Sequence, residues 1–217
     1  MKPFYKLLII TIVISLFIVE FFAAGLSHQI IFVLTLSAFY IYAKGSLNIR
    51  YLLAVFISIS LVEMFLFFGL KFIVVGNVAR AYSNSLFYLI HLVIDLSLIG
   101  VLRNRQVFQL KWYGDKEPKI TAKILERSLI DAPMYGLLII FCFVDTAGLA
   151  ENVIRNLEHF GFSEEFAKPF WSWDFVFYLY SPVKTVLMCF VVMLFFAAIY
   201  IERSKAKRAA PTLVEQR

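Results

Sequence analysis

Four ionisable side chains fall inside long apolar runs of this sequence: Glu63, His91, Asp95 and Lys184. Carboxylates, an imidazole and an ammonium brought together can hold and pass a proton, or bind a charged substrate. His91 and Asp95 are four residues apart, which puts them on one face of a helix. Glu63 precedes Ala79 by 16 residues, and Asp95 follows it by 16. If both runs are helices, each residue advances about 1.5 Å, so the two carboxylates reach a similar depth. Lys184 lies 11 residues past Trp173 and reaches that depth too if Trp173 marks a membrane surface. The four are expected to form one cluster near the bilayer midplane. A bare charge there is costly and must pair, hydrogen-bond or take up a proton.

The cluster also has a plainer reading. Interhelical polar pairs contribute only about 0.6 kcal/mol on average, yet they fix the register of a bundle. A second polar set, Glu20, Lys71, Asp145 and Asp174, is expected nearer the outer face. Lys71 can also extend its stem and keep its ammonium among headgroups.

Other chemistry has little support. The dinucleotide, phosphate-loop and His-Glu-x-x-His motifs are absent. The two cysteines, Cys142 and Cys189, stand in no ligand spacing, so no metal site is expected. His91 is the only histidine deep in an apolar run, which disfavours bis-histidine haem. No cofactor is expected.

The elements that must carry these residues follow from composition. Of 217 residues, 61% are hydrophobic and 17% charged, and 24 are Phe. A soluble chain averages about 45–50% apolar and about 25% charged. The sequence therefore predicts an all-α, polytopic membrane bundle: a single transmembrane domain over 1–202 and a basic tail over 203–217. Six spans are expected, at about 7–22, 26–43, 52–75, 86–102, 129–149 and 173–201. The first could instead be a cleaved leader ending at Ala23-Ala24-Gly25, but Glu20 so close to that site favours a retained helix. The second is short and could be re-entrant. Pro182 is expected to kink the last, and Ala209 to Arg217 to be disordered.

Short interfacial helices complete the prediction. Glu117-Pro118 can open a helix on which Lys119, Lys123 and Arg127 share one side, facing anionic headgroups. Glu151 to Phe160 reads as another, with Gly161 as its stop. Phe162, Phe166, Phe170, Trp171 and Trp173 read as an aromatic interface belt, with Trp171 and Trp173 among headgroups.

Basic residues then set an orientation. One side collects Lys2, Lys6, Lys44, Arg50, the seven of the Arg103–Arg127 loop and the five of the tail. The other side has Arg80, Arg155 and Lys168, a split of 16 to 3 that predicts cytoplasmic termini. The net charge of +6 is thus read as orienting charge, and nucleic acid is not an expected partner. The expected partners are the bilayer, its anionic lipids, and other membrane proteins or further copies of the chain.

No family motif stands in the chain. It resembles, in size and span number alone, the substrate-binding subunits of vitamin importers and small envelope-assembly proteins, and size carries no function. The leading expectation is a non-enzymatic inner-membrane protein that binds partners in bacterial envelope assembly or maintenance. A small ion- or proton-coupled transporter using the midplane cluster is the alternative. An intramembrane lipid-modifying enzyme is the third.

Overall fold

The computed structural model describes residues 27–74, 80–113, 118–126 and 128–214, with side chains for 29–70, 80–113, 118, 120–126 and 128–205. Among them every regular element is helical. In chain order these are α1 (Ser27–Tyr42), α2 (Leu47–Val74), α3 (Arg80–Arg103), α4 (Arg105–Tyr113), α5 (Pro118–Leu125) and α6 (Asp131–Arg155). A 3₁₀ turn (Leu157–Phe160), α7 (Glu164–Ala167), a second 3₁₀ turn (Lys168–Phe170) and α8 (Phe175–Val214) follow.

Four of these helices, α2, α3, α6 and α8, are long and apolar enough to cross a membrane. The chain is accordingly read as an integral membrane protein. In hydrocarbon each backbone polar group must be satisfied within its own segment, which a helix achieves and an open strand does not. The described part of helix α1 has 16 residues and extends about 24 Å. The expected first run, 7–22, lies outside the described residues, as does Glu20.

Several boundaries differ from those read in the sequence. The expected fifth span, 129–149, continues to Arg155, and 157–160 form a 3₁₀ turn in place of a separate amphipathic helix. Gly161, at φ 94°, ends that turn in the left-handed region where glycine is at ease. The loop between Arg103 and Arg127 contains two helices, α4 as well as the expected α5. Helix α8 runs without a break through Pro182 and on to Val214, where a disordered tail was expected. Hydropathy shows where oil gives way to water. A helix of Ala, Lys and Arg need not stop there, because those residues favour it.

The apolar core lies toward the end that carries the 43–46 and 103–130 connections, here called the basic end. Leu36 of α1, Leu52, Leu53 and Phe56 of α2, Leu138 of α6 and Phe195 of α8 meet there. The connection is itself latched. Asn48 Nδ2 donates to the carbonyls of Lys123 (2.9 Å) and Glu126 (3.3 Å). Arg105 is buried and donates to Asp131 Oδ2 at 2.9 Å and to the Glu126 carbonyl at 3.3 Å.

Toward the other, aromatic end, α3 and α6 approach closely at Gly148. A Cβ there would lie 2.8 Å from the Tyr88 ring and 3.2 Å from the Tyr180 ring. Those rings are packed edge to face with centroids 4.8 Å apart, so a shift of one presses on the other. Gly148→Ala is expected to destabilise the bundle by about 1–3 kcal/mol through overpacking. The readout is the thermal unfolding midpoint in detergent; an unchanged or raised midpoint would mean the rings step aside.

Candidate functional site

Three helices each bring one charged side chain to the same point. Lys184 of α8 donates to Asp95 Oδ2 of α3 at 3.0 Å and to Asp145 Oδ1 of α6 at 2.7 Å. Tyr180, one turn before Lys184, donates its hydroxyl to the same Asp145 oxygen at 2.8 Å. Asp145 is 0% exposed, and the side chains of Lys184 and Asp95 are 12% and 10% exposed. The Phe141 ring lies 5.0 Å from the ammonium, adding a cation–π contact to the ion pairs. The second oxygen of Asp145, Oδ2, is buried with no hydrogen-bond partner.

Charge counting shows what this knot lacks. One ammonium faces two carboxylates, so with all groups ionised it carries one surplus negative charge. A surplus charge in an apolar interior is costly, and one bound proton or cation removes it. The unpartnered oxygen of Asp145 is the open acceptor in the set.

A second pair adjoins the first. Glu63 Oε1 of α2 lies 3.1 Å from His91 Nε2 of α3, and Gln29 Nε2 of α1 donates to the same oxygen at 3.4 Å. His91 Nδ1 lies 3.0 Å from the Phe87 carbonyl, which can only accept. That hydrogen bond needs the proton on Nδ1, and one further proton shared between Nε2 and Oε1 would neutralise the pair. Imidazolium with carboxylate and imidazole with carboxylic acid both leave the pair without net charge. The Tyr180 ring meets the His91 ring edge to face at 6.0 Å, so aromatic contact joins the two sets. The side chains of Glu63 and His91 are each 19% exposed, and such pairs in membranes contribute little. Glu63→Gln is expected to cost about 1 kcal/mol or less, read as a small fall in unfolding midpoint. A loss several times larger would show that the pair carries a full buried charge.

The four midplane candidates thus form two neighbouring pairs instead of one cluster: Glu63 with His91, and Asp95 with Lys184. Counting both runs from Ala79 set Glu63 level with Asp95, and the contact falls one turn earlier, on His91. In the fold His91, one turn before Asp95, is the residue level with Glu63. Asp145, expected in an outer set, joins Lys184. The span had been ended at 149, whereas α6 continues to Arg155 and leaves Asp145 about 15 Å inside that terminus. Asp174 stays apart, immediately before α8. The side chain of Lys71 lies outside the described residues.

Of the expected headgroup contacts, Lys123, Trp171 and Trp173 are exposed, while the Lys119 side chain and Arg127 lie outside the described residues. Trp171 Nε1 donates to Glu158 Oε2 at 3.2 Å. Glu151 accepts from the backbone N–H groups of Val176 and Phe177, both at 2.7 Å, capping the start of α8 from the end of α6.

Sequence reasoning passed over three residues of this network. Tyr180 stands four before Lys184 on one helical face, a spacing that pointed to it. Asn152, which donates to Ala81 O at 2.9 Å and Ser85 Oγ at 2.8 Å, fell in the interfacial helix expected over 151–160 and so read as a surface residue. Arg105 looked like one more orienting charge, and nothing in its local sequence marks it as buried. Comparisons with protein-family models, curated proteins and solved structures give no match for this chain.

Proposed function

We propose that this chain is a non-enzymatic, multi-pass membrane protein that works by binding other membrane proteins, in the assembly or upkeep of a bacterial envelope. One observation carries the reading. Among the described residues, the charged groups in the middle of the spans are bonded to each other, with one carboxylate in excess: Lys184 to Asp95 and Asp145, Glu63 to His91. Bonds of this kind brace helices into a fixed platform. A further part of the reading is six spans with both termini in the cytoplasm, in which run 7–22 and α1 add to the four long helices. The 16 to 3 distribution of basic residues supports that orientation. Purification of the tagged chain in mild detergent, with chemical crosslinking, is expected to bring down a specific membrane protein in near-equal amount. A clean, solitary monomer counts against it.

A second reading is a small proton- or cation-coupled transporter. It is favoured by the surplus carboxylate and the unpartnered Asp145 oxygen. Glu63, His91, Tyr180, Asp145 and Lys184 would then line a route across α2, α3, α6 and α8. Proteoliposome flux measurements decide it. Flux that is present and unchanged in both Glu63→Gln and Asp95→Asn removes these groups from the mechanism.

A further inference from the structure

A cavity of about 590 Å³ opens at the basic end between α1, α2, α3 and α4. Its two halves differ in chemistry. Arg50, Tyr40, Tyr51 and Trp112 line it, and α2 adds Val55 and Ile59 one and two turns beyond Tyr51, here called the floor. Arg50 Nη2 donates to Tyr40 Oη at 3.2 Å, and its guanidinium lies 4.7 Å from the centre of the Tyr40 ring. The Nε of Arg50 is buried and has no hydrogen-bond partner. Among the described residues no carboxylate pairs with the half-buried Arg50, and an uncompensated guanidinium lining an open cavity suits an oxyanion, phosphate above others.

The floor gives the rest of the ligand. From Arg50 to Ile59 is nine residues of helix, about 14 Å. One leaflet of hydrocarbon is about 15 Å deep. The groove therefore offers one phosphate-binding donor at one end and a leaflet's depth of apolar wall beyond it. Trp112 and Tyr113, on α4, stand where aromatic side chains favour the membrane–water boundary.

We propose that this groove binds one phospholipid, with its phosphate on Arg50 and an acyl chain along the α2 floor. The proposal rests on the chain being membrane-embedded and not on its binding protein partners, so a failed pull-down leaves it standing.

The test is native mass spectrometry of the full-length protein in detergent, titrated with dioleoyl phosphatidylglycerol. Arg50→Ala is expected to weaken retention of the first lipid by about tenfold or more. Ser58→Trp, which fills the groove from an exposed position without changing charge, is expected to do the same. Arg50→Lys should weaken it less, because the charge stays while the fork is lost. Lys168→Ala, at the aromatic end, should leave it unchanged. Inorganic phosphate in about a hundredfold excess should not displace the lipid. First-lipid binding within about twofold of the parent in either Arg50→Ala or Ser58→Trp overturns the proposal, as does displacement by inorganic phosphate alone. If Arg50→Ala does not fold, Ser58→Trp decides by itself.

Discussion

Lys184→Met is expected to destabilise the bundle by about 3–5 kcal/mol, the usual effect of removing one partner from a buried ion pair. The side chain is close to isosteric, so the loss is of charge and hydrogen bonds. Asp95 and Asp145, at 3.0 and 2.7 Å from the ammonium, would then face each other with no cation between them. Each must take up a proton or remain as an uncompensated anion, and Asp145 is fully buried. The comparison that isolates charge is the triple variant Lys184→Met, Asp95→Asn, Asp145→Asn. Removing every charge together should recover more than half of the loss, since a neutral set no longer carries the desolvation penalty. Unfolding midpoints in detergent give both values. A loss near 0.6 kcal/mol for Lys184→Met, the average for an ordinary polar contact in a membrane bundle, would reduce the knot to glue of the weakest kind.

Arg105→Ala is the second large effect, about 3 kcal/mol. Arg105 is 2% exposed and donates to Asp131, to the Glu126 carbonyl and, at 3.4 Å, to Gln109 Oε1. The value falls at the low end of the range because the Asp131 side chain is 24% exposed and can be rehydrated. The effect should also be local. Arg105 holds α4 and α5 to the start of α6, so its loss should free that segment before the spans separate. Hydrogen exchange is expected to accelerate across 105–125 while the middle of α6 stays protected. Uniform acceleration through α6 would show that the basic end and the bundle open as one unit. Because α4 carries Trp112 to the edge of the groove, the same variant should weaken the first lipid as well.

How much of this could be read in the residues depends on what each residue reports. The membrane class was legible because apolar composition acts over whole runs: Leu52–Leu70 admits little else. Four long helices follow from it. Helix ends were less legible. Glu151 and Asn152 look like the polar exit of a span, yet both belong to α6, and ending the run early displaced Asp145 from its partner. Lys184 with Asp95 was legible from depth alone. That Asp145 and Tyr180 complete the set depends on the angles at which α6 and α8 face α3, and hydropathy carries no such angle. Arg105 was hidden for another reason: basic residues beside a span have a sufficient explanation in orientation, which masks the one that is buried.

Glu151 has a mechanical consequence. Its carboxylate grips the first turn of α8 through two backbone N–H groups, while Asp145 holds Tyr180 and Lys184 further along. One pin between two rods permits them to pivot. Two pins set apart along their length forbid both swivelling and sliding. Helices α6 and α8 must therefore travel together in any rearrangement.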